Sequence, residues 1–132
     1  MRRVALLLGV ISMAFLACQA KSDGAWLKKV SPVDRARTNP YAGSSDAVAA
    51  GRNLFLTNCA KCHGDSAEGK GSRPALRSDR LRKASDGEIA WIVKNGSPFA
   101  GMPSWGALPE PERWQIVAYL RSLNPHDGGA QP

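Results

Sequence analysis

Two cysteines and a histidine fall within the five residues Cys59-Ala-Lys-Cys62-His63. Thiols and an imidazole at this spacing suit three chemistries: a zinc site, a redox dithiol, or the anchorage of a larger cofactor. A closed zinc site needs four ligands. The rest of the chain offers only Cys18, near the N-terminus, and His126, in a Gly-rich tail. A thioredoxin-like dithiol belongs in a βαβ setting, whereas the flanking sequence has helical periodicity and no alternating β-branched run. A structural disulfide between Cys59 and Cys62 would close a very short loop and stabilise little.

Covalent attachment of a c-type haem remains. Two thiols three residues apart near a helix end can add to the two vinyl groups on one edge of a haem. The imidazole of His63 then falls under the iron as its proximal ligand. A sixth position is left. Without its first 17 residues the chain contains one methionine, Met102. Met102 precedes Pro103, which disfavours helix and keeps the residue extended in a loop. It lies 39 residues beyond His63, with one expected helix between, so the chain can return to the opposite haem face. Met102 is therefore the expected second axial ligand, and His126 a poor alternative. A thioether there favours ferrous iron. With both axial positions filled, substrate has no place on the iron, and the expected function is single-electron transfer, not catalysis.

Three helices are expected to position these groups. The first covers "SSDAVAAGRNLFLTNCAKCH", with Ser45 as its cap and Asp46 at its positive end. Val48, Gly51, Leu54, Phe55 and Cys59 share one face, and Gly51 on that face marks close packing of another element. The second covers "SDGEIAWIVKNG", capped by Ser85 or Asp86 and stopped at Asn95-Gly96. The third covers "PEPERWQIVAYLRSLNP", with Pro109 or Pro111 at its start and Pro125 beyond its end. Two Gly/Pro-punctuated loops join them, so the expected fold class is all-α. The haem domain spans residues 45–124, a short chain for an independent core, and an apolar cofactor would enlarge that core.

The N-terminus reads as an address. Arg2 and Arg3 precede an apolar run, Val4 to Ala17, of 14 residues, which suits a signal peptide better than a bilayer span. The segment "FLAC" resembles a bacterial lipobox, so residues 1–17 are expected to be removed and Cys18 to be lipid-modified. Residues 18–44 then form a lipid-anchored tether with a reach on the order of 30 Å, and residues 125–132 a tail. The formal charge is +7. Lys70, Arg73, Arg77, Arg80, Arg82 and Lys83 crowd one loop, and could be a solvated run or a docking surface for an acidic redox partner. Nucleic acid is not expected as a partner of an exported haem protein.

The segments "LFLTNCAKCHGDSAEGKG", "GMPSW" and "LPEPERWQIVAYLRSL" resemble a class I cytochrome c domain of the small bacterial mono-haem type, over residues 45–124. The resemblance implies three main helices wrapped around one covalently bound haem, the first and last crossing, with Gly51 and Phe55 meeting the last helix near Tyr119. It also implies that the Pro74 carbonyl orients the His63 ring, that Leu76 packs on the haem, and that Trp105 lines the Met102 side. Arg73 or Arg77 would pair with haem propionates. The expected protein is a membrane-anchored carrier on the periplasmic side of a bacterial membrane, a monomer unless part of a complex. Its partners would be a dehydrogenase, a cytochrome complex or a terminal oxidase. The alternatives are a fixed subunit of a larger dehydrogenase or oxidase and a haem enzyme or gas sensor with an open sixth site.

Overall fold

The helix that leads into the motif, α2, runs Ser45–Asn58 in a computed structural model that describes residues 24–125. Its cap is Ser44 and not Ser45: the Ser44 hydroxyl accepts from the Ala47 amide at 3.2 Å. Ala47, Gly51 and Phe55 are its buried residues, spaced four apart along one stripe. That stripe crosses α6, Glu110–Leu123, whose buried residues include Trp114, Ile116, Val117, Tyr119 and Leu120.

The crossing is close because Gly51 has no side chain. A Cβ there would lie 1.9 Å from the Gln115 carbonyl oxygen, so backbone meets backbone. One turn on, Phe55 is fully buried and its ring packs on Tyr119, with centroids 5.2 Å apart and planes inclined at 55°. This is the tilted geometry that aromatic quadrupoles favour.

The remaining helices are shorter. Cys59 ends α2 and opens α3, Ala60–His63. Within the loop after His63, Ser78 caps α4, Asp79–Lys83. A reciprocal capping box of Ser85 and Glu88 starts α5, Asp86–Asn95, and Gly96 ends it at φ +68°. Arg121 of α6 fastens these to the crossing. It donates to the buried Asp86 carboxylate at 2.9 Å and to the Leu81 and Ala84 carbonyls at 3.0 and 2.7 Å. Among the described residues no strand forms, only isolated bridges at Lys70–Arg73 and Ser97–Met102, so the fold is all-α. None of the described helices is long and apolar enough to cross a membrane.

The expectation of a loose tether fails over residues 24–43, which form a strap packed on α5 and α6. A 3-10 turn, Ala25–Lys29, leads to the short helix α1, Pro32–Arg35. Val30 and Asn39 are buried. Asn39 donates to the Trp114 carbonyl at 3.0 Å, Arg35 pairs with Glu88 at 3.1 Å, and Ser85 donates to the Arg35 carbonyl at 2.8 Å. Arg37 pairs with Glu110 and lies over the Trp114 ring, 5.1 Å from its centroid. Gly87 lets the strap approach, since a Cβ there would lie 2.0 Å from the Asp34 carbonyl oxygen. Apart from the buried Val30 and Tyr41, which packs on the core cluster, the strap is fixed by single polar contacts and not by a hydrophobic stripe. Cys18 and residues 1–17 lie outside the described residues, as does His126.

Candidate functional site

The end of α2 and the tight turn of α3 set the two thiols. The Cys62 and His63 amides both bond the Cys59 carbonyl, at 3.1 and 3.0 Å. Cys59 and Cys62 are half-buried and are not joined in a disulfide. Burial pushes the Cys59 thiol up to about 11, with the neighbouring Cys62 adding to the rise. His63 is buried at 9% exposure. Its Nδ1 lies 2.8 Å from the Pro74 carbonyl oxygen. A carbonyl can only accept, so Nδ1 carries the proton and Nε2 keeps a free lone pair for a ligand bond.

The loop that supplies Pro74 is rooted at both ends. The Gly69 amide bonds the His63 carbonyl at 2.7 Å. Leu76 donates its amide to the Ala67 carbonyl at 2.8 Å and packs half-buried against the core. Asn124, just past α6, donates to the Leu76 carbonyl at 2.7 Å and accepts from the Ser78 amide at 2.9 Å. Asn124 is 2% exposed and went unnoticed in the sequence. A polar residue at a helix end, before a proline, is a signal for such a pin.

Met102 is half-buried in the loop between α5 and α6. It exchanges two backbone hydrogen bonds with Ser97, at 2.9 and 3.0 Å. The loop returns to α5 through Ser104, whose hydroxyl donates to the Lys94 carbonyl at 2.6 Å, and through the Trp105 amide to the Val93 carbonyl at 3.1 Å. Trp105 packs half-buried against the core. Cys59, Leu76 and Trp105 thus border one apolar cluster, while Met102 stands three residues before Trp105 on the same loop. Arg73, expected with Arg77 as one of two candidates for a propionate, donates to the Gly101 and Ala100 carbonyls at 3.1 and 3.4 Å. Of the basic run, Arg82 pairs with Asp79.

The donor set fits haem c. Among the described residues no three His, Cys, Asp or Glu side chains converge on a single ion. Two free thiols and an imidazole with a lone pair to spare match two covalent tethers and one iron ligand. A separate cleft of about 200 Å³, lined by Asp34, Arg37, Trp91, Lys94, Arg113 and Trp114 among others, includes none of these groups.

Fold and site define a class I c-type cytochrome, in which haem c is held covalently, here through Cys59 and Cys62. The chain belongs to the family described as cytochrome c oxidase, cbb3-type, subunit III, whose pattern matches residues 46–120. It is 36% identical over 77 residues to the cbb3-type cytochrome c oxidase subunit FixPc of Rhizobium leguminosarum bv. viciae, covering 56% of this chain and 27% of that one. It is 31% identical to cytochrome c-554(547) of Halothiobacillus neapolitanus, covering 58% of this chain and 96% of that one. Among solved structures it resembles cytochrome cL of Methylophaga aminisulfidivorans, with TM-score 0.57, 32% identity, and coverage of 64% of this chain and 58% of that one. The chain spans 22–39% of the length of the FixP relatives.

Proposed function

We propose that this protein carries single electrons to and from other redox proteins. The observation that carries this reading is the Cys59–Cys62–His63 turn with the His63 Nδ1 hydrogen on the Pro74 carbonyl. Haem c supplies one-electron oxidation and reduction at its iron. Cys59 and Cys62 tether it. His63 would hold the iron through Nε2, and its bond to the Pro74 carbonyl fixes the ring plane and raises its basicity. Met102 would hold the iron through its thioether, which would raise the potential relative to a second imidazole. Leu76 and Trp105 exclude water beside the cofactor. With His63 and Met102 both holding the iron, outer-sphere electron transfer would be the chemistry that remains.

Ferric protein should show the thioether-to-iron charge-transfer band, and Met102→Ala should abolish it. A wild-type protein that is high-spin and binds carbon monoxide rapidly would instead be a haem enzyme or sensor.

The second reading is an electron-transfer subunit of a larger complex. The FixP relatives, named as subunits of cbb3-type oxidases, favour it, while the near-complete overlap with the small cytochrome c-554(547) favours the carrier. Export to the periplasmic face and lipid attachment at Cys18 belong to the same proposal, on the strength of the N-terminal sequence. The domain limits 45–124 widen in this reading to take in the strap. Membranes extracted in mild detergent separate the two: a stoichiometric oxidase or dehydrogenase co-purifying with the haem domain would make it a subunit. Radiolabelled fatty acid that fails to enter at Cys18 would remove the anchor.

A further inference from the structure

Arg73 stands between the two ligand loops, one residue before the proline that orients His63. Its own backbone is fixed by a reciprocal pair with Lys70, at 2.8 and 3.2 Å. Pro74 then accepts from His63, and Gly69 donates back to the His63 carbonyl. The base of the Arg73 side chain is therefore rigidly referred to the imidazole. Its guanidinium reaches the other loop, 27 and 28 residues away in sequence, and donates to Ala100 and Gly101. Those are the two residues immediately before Met102.

The loop tip has little else to hold it. Pro98, Phe99, Ala100 and Gly101 are exposed, Phe99 completely. The backbone bonds Ala100 to Ser97, Gly101 to Pro98 and Met102 to Ser97 are all internal to the loop. Among the described residues the hydrogen bonds that leave the tip run to Arg73. The tip is also shaped around the guanidinium. Gly101 is left-handed at φ +79°, and a Cβ there would lie 2.8 Å from Arg73 Nη1, so any larger residue would push the guanidinium away.

We propose that Arg73 is a positioning residue: a latch that refers the Met102 loop to the His63 loop and keeps the thioether from leaving the iron. The inference rests on Met102 as the second axial ligand and adds what controls its residence there. Charged donors make the stronger class of hydrogen bond. Losing two such contacts from an otherwise exposed tip enlarges the open fraction by about tenfold. An added ligand that needs the open form binds with an apparent affinity proportional to that fraction.

The test uses the full-length, haem-loaded ferric protein, titrated with imidazole and followed by loss of the thioether-to-iron charge-transfer band. Arg73→Gln should bind imidazole about tenfold more tightly than wild type, Arg73→Lys should fall between, and Gly101→Ala should resemble Arg73→Gln. Amide hydrogen exchange at Gly101 and Met102 should quicken in Arg73→Gln while the α2 and α6 amides keep their protection. Unchanged imidazole affinity in both Arg73 variants, with or without a lower Tm, would overturn the latch. In that case Met102→Ala still abolishes the band and the axial ligation stands. If Met102→Ala keeps the band, the ligation itself falls, and the latch with it.

Discussion

The α2–α6 crossing and the strap of residues 24–43 are seated on the same body in opposite ways. At the crossing, Gly51 on Gln115 and Phe55 on Tyr119 bring two long helices together through a continuous buried stripe. At the strap, Gly87 permits an equally close approach to the Asp34 carbonyl, but the neighbours are polar: Asn39 on Trp114, Arg35 on Glu88, Arg37 on Glu110. The crossing cannot part without exposing the core. The strap reaches the core through Tyr41 but adds no buried side chain to the central cluster. Close approach alone is therefore not what makes a contact indispensable.

The largest effect should come from Gly51→Ala. Its Cβ would meet the Gln115 backbone at 1.9 Å with neither helix free to retreat, and the cost should be about 3 kcal/mol or more in denaturant unfolding of the haem-loaded protein. A variant within error of wild type would end the argument that the helices touch there.

Gly87→Ala delivers nearly the same collision, at 2.0 Å from the Asp34 carbonyl. Here the strap should yield instead, at about 1–2 kcal/mol. Trypsin should then cut after Arg35 or Arg37 while the haem spectrum is unchanged. Loss of haem-site absorbance together with strap cleavage would show that the two regions do not separate.

Asn39→Ala should cost about 1–2 kcal/mol, since it removes the donor to the Trp114 carbonyl and the acceptor of the Tyr41 amide inside a buried setting. The drop should appear as faster amide exchange in residues 30–43 before any change in α6.

Arg37→Ala is the mildest. The Arg37 hydrogen bond, then that of Trp114, holds the exposed Glu110 carboxyl below its ordinary value. A carboxylate with a lowered folded-state pKa stabilises above its unfolded value and loses that contribution as pH falls through the lowered one. Removing Arg37 should raise the Glu110 pKa in an NMR titration with little change in Tm, as exposed pairs contribute little. No movement of the Glu110 resonance would break the pairing.

The same contrast explains how much could be read from residue order. The attachment motif is a fixed spacing with a chemical reason, and the α2 and α6 faces repeat with the helical period, so Gly51, Phe55 and the caps of α5 stand out. The strap has no period. Asn39, Arg35 and Arg37 each act through one contact, and one polar residue in a Pro- and Ser-containing stretch looks the same whether solvated or docked. Arg73 was legible as a cation but not as a bridge, because its partners are backbone carbonyls, which every residue possesses. Met102 stands out as the proposed sixth ligand from its loop and its following proline. What holds that loop was hidden for the same reason as Arg73.

The docked strap also changes the mechanical meaning of the N-terminus. With a lipid at Cys18, as proposed, only residues 19–23 separate the anchor from Gly24, the first described residue. Six Cα-to-Cα steps span at most about 20 Å, while a folded chain of this size has a radius of gyration of about 13 Å. Gly24 lies beside Arg80 of the basic loop. Such a body would be moored with almost no slack, turned by its mooring point, and would find its partners by sliding in the plane of the bilayer.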